Sequence, residues 1–93
     1  MHCKDVRRAV FAELIARDGS FLDGVLAGMF TVPGDGALDY AGVMNALADI
    51  GYCGWIVVEA EQDPAIADPR RYGQLGLRTL EREAAAAGLK MAA

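Results

Sequence analysis

The stretch GWIVVEAEQDP, Gly54–Pro64, runs from an apolar core straight into a cluster of acids. Ile56, Val57 and Val58 read as a strand buried on both faces, since an unbroken β-branched run belongs inside a parallel sheet. Glu59, Glu61 and Asp63 follow within five residues. A carboxylate at the end of a buried strand is costly unless something there uses it. In parallel α/β sheets, ligands and chemistry sit beyond the carboxyl ends of the strands. Glu59 is therefore in the place of an active-site residue if the neighbouring elements build such a sheet.

The flanking sequence supplies those elements. HCKDV is a short strand candidate, followed by RRAVFAELIARDG, where Val10, Phe11, Leu14 and Ile15 recur at helical spacing and Gly19 marks a stop. SFLDGVLAGM reads as a second helix, capped by Ser20, with Phe21, Leu22, Val25 and Leu26 as its apolar face. Phe30–Val32 favours a strand, and Pro33-Gly34-Asp35-Gly36 a loop. Asp39 is an N-cap for a helix whose stripe is Tyr40, Val43, Met44, Leu47 and Ile50, with Gly51 just past its end. After the strand Trp55–Val58, both Asp63-Pro64 and Asp68-Pro69 pair a cap residue with a proline suited to the first helical position. The last helix is expected over 69–87, with Leu77, Leu80 and Ala84 inward and Gly73 and Gly76 allowing close approach. Strands alternating with helices predict an α/β fold with three parallel strands.

Composition narrows the function classes. The chain has 93 residues, enough for one small domain or part of a larger one, and is 54% hydrophobic with a net charge of −4. That charge balance lacks the basic footprint of a nucleic-acid binder. No apolar run is long enough to cross a bilayer, and MHCKDVRR has no signal-peptide core, which together predict a cytoplasmic protein with no membrane partner. Cys3 and Cys53 stand in no metal or redox spacing and are expected as reduced thiols.

Three strand ends carry the candidate chemistry. The first offers His2, Lys4, Asp5 and Arg7, the second Asp35, and the third Glu59 and Glu61. Residues two apart share a strand face, so His2 pairs with Lys4, and Glu59 with Glu61 if the strand extends that far. One imidazole and one carboxylate converging on a polar mouth form half of a divalent-metal site. Each residue also has a plainer reading: a solvated terminal histidine, a salt-bridged Glu59, a turn-forming Asp35, and surface cations at Lys4 and Arg7.

HCKDVR at 2–7, FTVPGDG at 30–36 and GWIVVEAEQDP at 54–64 together resemble the C-terminal part of inosose dehydratases, within the xylose-isomerase-like (β/α)8 barrels. VVEAEQDP is the most specific of these strings. The resemblance implies a cytoplasmic lyase of myo-inositol catabolism that removes water from a cyclic polyhydroxy ketone, with manganese or cobalt as cofactor. It implies His2 and Glu59 as metal ligands, Glu59 and Lys4 as catalytic groups, and Arg7, Asp35 and Glu61 as residues lining the substrate pocket.

A complete barrel of this kind takes about 250 residues. Residues 1–93 are therefore expected to form a single partial domain, the C-terminal portion of an incomplete barrel, that lacks the other metal ligands, is inactive alone, and self-associates or requires a complementing chain. A related sugar isomerase or epimerase is the rival enzymatic reading. A non-catalytic structural remnant is the third.

Overall fold

The computed structural model describes residues 1–92. Four two-residue strands and four helices follow one another: β1 (His2–Cys3), β2 (Asp5–Val6), α1 (Arg8–Ala16), α2 (Phe21–Leu26), β3 (Phe30–Thr31), α3 (Tyr40–Asp49), β4 (Val57–Val58) and α4 (Pro69–Ala86). β1 and β4 pair parallel, His2 opposite Val57 and Cys3 opposite Val58. The ladder continues past both ends, with the Val57 N–H donating to the Met1 carbonyl at 2.9 Å and the Glu59 N–H to the Cys3 carbonyl at 3.0 Å.

Two strands rather than three run parallel. β3 pairs antiparallel with β2, Asp5 opposite Thr31 and Val6 opposite Phe30. The reason lies in α1 and α2, which pack on each other instead of covering a sheet. The pair returns the chain alongside the segment it left, and the Arg7 N–H donates to the Met29 carbonyl at 2.9 Å to close the loop. FTVPGDG is thus an appendage beside the parallel unit, not another strand end of it.

The main core lies between the β1–β4 pair and α3 and α4. Cys3, Tyr40, Met44, Leu47, Leu80 and Ala84 are buried there, with Val43, Ile56 and Val58 packed against them. Cys3 and Val58 are register partners and point the same way, so His2, Lys4, Val57 and Glu59 take the other face by the two-residue alternation of a strand. Val57 is accordingly 39% exposed, and Trp55, at the strand's entrance, is 85% exposed. This corrects the expectation of a strand buried on both faces: helices cover one face only.

Three helices, α2, α3 and α4, begin where their caps predict. Ser20 and Asp23 form a reciprocal capping box on α2, Asp39 accepts from the Gly42 N–H, and Asp68 accepts from the Arg70 N–H ahead of Pro69. Asp63 instead accepts from the Ala65 N–H in a turn, and no helix starts at Pro64. Several apolar stripes are shifted from expectation. On α1 only Leu14 is buried, on α2 only Gly24, and on α4 Gly76, Thr79, Leu80 and Ala84 face inward while Leu77 is 47% exposed. Gly76 makes the close approach, since a Cβ there would sit 2.8 Å from a Val58 methyl, whereas nothing lies near Gly73.

Tyr40 ties α3 to the site-bearing strand. Its hydroxyl donates to the Lys4 carbonyl, and burial pushes its pKa up to about 12. Tyr40→Phe leaves that part-buried carbonyl without its partner and is expected to cost about 0.5–1.5 kcal/mol in urea unfolding. An unchanged midpoint would mean that the bond contributes nothing.

Candidate functional site

Lys4 follows β1 directly, and Glu59 follows β4 at the equivalent place, so the backbone register sets them side by side. Glu59 is the hub. Its Oε2 lies 3.2 Å from His2 Nδ1 and its Oε1 lies 3.1 Å from Lys4 Nζ. Glu61, two residues on, reaches the same ammonium at 3.7 Å. The alternation of the strands thus brings His2, Lys4, Glu59 and Glu61 together over a separation of more than fifty residues.

The electrostatics follow from that geometry. The hydrogen bond from Lys4, reinforced by its charge and that of His2, holds the Glu59 carboxyl below the usual glutamate value of 4.5. The bond to Glu59 holds the Lys4 ammonium above its usual 10.5. A carboxyl with a depressed pKa keeps its ion pair above the ordinary carboxylate range and loses it only as pH falls through the lowered value. In a side-chain carbon NMR titration of the metal-free chain, Glu59 is therefore expected to titrate below 4.5 and Lys4→Met to move it back up. A Glu59 midpoint indifferent to Lys4→Met would remove Lys4 as the cause.

Arg7 and Asp35 do not join this cluster. Arg7 Nη2 donates to Asp35 Oδ2 at 2.7 Å and to the Tyr72 hydroxyl at 3.2 Å, while Nη1 donates to the Gly28 carbonyl at 2.8 Å. Thr31 Oγ1 donates to the same Asp35 oxygen at 2.7 Å. The guanidinium also lies over the Tyr72 ring, 5.9 Å from its centre. The network binds the appendage to α4. Asp5 is withdrawn as well: it is fully buried, its Oδ1 accepting from the N–H groups of Val6 at 2.8 Å and Leu38 at 3.0 Å.

Tyr72 and Thr31 are the participants that sequence reasoning missed. Tyr72 stands one turn inside a helix and 65 residues from Arg7, so no local pattern marks it.

His2 and Glu59 suit a divalent cation. Two donors 3.2 Å apart match neighbouring positions around an ion with bonds of about 2.1 Å. Lys4 occupies the far carboxylate oxygen and leaves Oε2 directed toward the imidazole. Among the described residues no group of three or more His, Cys, Asp or Glu side chains is placed to hold a metal.

A parallel strand pair backed by helices, with a lysine and a carboxylate just past its carboxyl ends and a histidine beside them, is the layout of part of a β/α-barrel. A model of the xylose isomerase-like TIM barrel family matches residues 1–91. The chain belongs to that family. It is 52% identical over 91 residues to the rhizopine catabolism protein MocC of Rhizobium meliloti, covering 98% of this chain and 28% of that protein. Over 84 residues it is 54% identical to an inosose dehydratase of Yersinia enterocolitica, covering 90% of this chain and 28% of the relative. An inosose dehydratase of Histophilus somni is 55% identical over 76 residues, covering 82% and 26%. The chain thus spans little more than a quarter of the length of these curated relatives. No helix among the described residues is long and apolar enough to cross a membrane.

Proposed function

We propose that residues 1–93 are one partial barrel domain contributing to a metal-dependent hydro-lyase that removes water from a cyclic polyhydroxy ketone of the inosose type. The observation that supports this most directly is the convergence of His2 and Lys4 on the two oxygens of Glu59 at adjacent strand ends. The names carried by the Yersinia and Histophilus relatives point to the same substrate class.

His2 and Glu59 would hold a divalent ion, manganese or cobalt in this reading, that polarises a ketone oxygen when bound. Loss of water from such a ketone requires a proton to leave the carbon beside the carbonyl and a hydroxyl to depart from the next carbon. Lys4, kept protonated by its bond to Glu59, positions a substrate hydroxyl and supplies a proton to it as it leaves. Glu59 takes up the carbon-bound proton or orients the group that does. Glu61 holds Lys4 from its other side. Arg7 and Asp35, which stand outside the cluster, would brace the pocket wall indirectly through their bonds to Thr31 and Tyr72. The exposed apolar residues flanking the strand and helices, Trp55 and Ile50 foremost, favour self-association or a complementing chain that completes the barrel.

The test is a chimaera in which this chain replaces the matching segment of the Yersinia enterocolitica inosose dehydratase. Retained dehydration of inosose, with stoichiometric manganese or cobalt, is the expected result. A folded, metal-loaded chimaera that epimerises polyols without forming an unsaturated product would instead assign the isomerase chemistry of related barrels. One that binds no metal would sink both readings.

A further inference from the structure

Beside the Arg7–Asp35 network lies a concavity with a chemistry of its own. Asp35, Arg71, Tyr72, Gln74, Leu75 and Arg78 line a cleft of about 280 Å³ between the Pro33–Gly36 loop and α4. Arg71, Gln74 and Arg78 recur at three- and four-residue steps and so share one stripe of the helix. Arg71 and Arg78 are two turns apart, about 10 Å along the axis, a gap that two long guanidinium side chains can close over one small anion. Neither has a carboxylate within salt-bridge distance among the described residues, whose ion pairs are those of His2, Lys4, Arg7 and Arg82. The acid lining the cleft, Asp35, has its Oδ2 already engaged by Arg7 and Thr31. Its charge is thus offset from inside.

The result is a cationic cleft on a chain whose net charge is −4. Tyr72 and Leu75 add an apolar wall, and Gln74 adds neutral hydrogen-bonding capacity between the two cations. We propose that this cleft binds a small phosphate-bearing ligand, with Arg71 and Arg78 clasping its terminal oxygens and Gln74 donating between them. A tetrahedral dianion accepts hydrogen bonds from two guanidinium groups approaching from different sides, which a planar carboxylate does less well. The site is independent of His2 and Glu59, and it stands whether or not the dehydratase reading does.

The experiment follows backbone amide shifts of the full chain during titration with inorganic phosphate, at constant ionic strength against chloride. Saturable shifts at 71–78 and at Asp35 are expected. Arg71→Ala with Arg78→Ala together should weaken binding at least about tenfold, because each removes a charge-assisted contact. Arg17→Ala removes an exposed cation outside the cleft and should change nothing. The proposal is overturned if phosphate causes no saturable shift at 71–78, or if Arg17→Ala weakens binding as much as the double variant. Acetate binding as tightly as phosphate would overturn the ligand class. Because the substituted arginines are exposed, unchanged far-ultraviolet circular dichroism is expected, and the single variants Arg71→Lys and Arg78→Lys, which keep charge but lose the forked donors, give an intermediate loss if the clasp is right.

Discussion

Glu59→Gln in the Yersinia chimaera is expected to lower kcat by about 10²–10⁴-fold, the range for removing a group that moves a proton in the transition state. The substitution keeps the shape of the side chain and removes its charge. Three consequences follow from the same carboxylate. Lys4 loses the negative charge that raises its pKa, one of the two oxygens facing His2 and Lys4 becomes an amide nitrogen, and the half-site for the cation loses its anionic donor. Bound manganese or cobalt should fall together with turnover. Glu61→Gln is expected to be far milder, since that carboxylate reaches Lys4 at 3.7 Å and contacts no other member of the cluster. Elemental analysis and turnover on the same preparations decide the matter. Undiminished metal and kcat in the Glu59 variant would remove this residue from the mechanism.

Gly34→Ala is expected to destabilise the chain by about 2–5 kcal/mol, combining the strain of a left-handed backbone with overpacking. The residue has φ +92°, a conformation that side chains with a Cβ rarely adopt. An added methyl would lie 2.1 Å from the Thr79 hydroxyl oxygen and 3.0 Å from its Cβ and Cγ2. Thr79 is buried in α4 and has nowhere to move. The loop must yield, and Asp35 with it, so the bond to Arg7 should weaken. Gly73→Ala is the matched control on the same helix: nothing lies within contact distance of its added methyl, and it should stabilise by about 0.5–1 kcal/mol. Urea unfolding of both variants reads the difference, and equal midpoints would refute the close packing of the loop on α4.

Much of the parallel unit was legible along the chain. Asp39 and Asp68 announced α3 and α4, because capping depends on a side chain and the amides two or three residues beyond it. The partnership of His2 with Lys4 followed from strand alternation alone. The direction of β3 was not legible. PGDG after an apolar run looks the same whether the strand before it joins a parallel sheet or folds back. The outcome depended on α1 and α2 packing on each other, a contact between two apolar stripes that periodicity cannot assign to a partner.

The same distinction divides the site. Residue types and order along the sequence determined which groups can carry chemistry: an imidazole before one strand end, a carboxylate after another, and the family to which that order belongs. Only the tertiary structure decided which of them meet. His2, Lys4 and Glu59 converge because Cys3 and Val58 are register partners, so the residues on either side of them share the opposite face. Arg7 and Asp35 are drawn away because Thr31 and the distant Tyr72 complete their hydrogen bonds. Local pattern reaches as far as a turn of helix or the next residue pair of a strand. Beyond that range, position is set by packing and by the backbone pairing between strands that lie far apart in sequence.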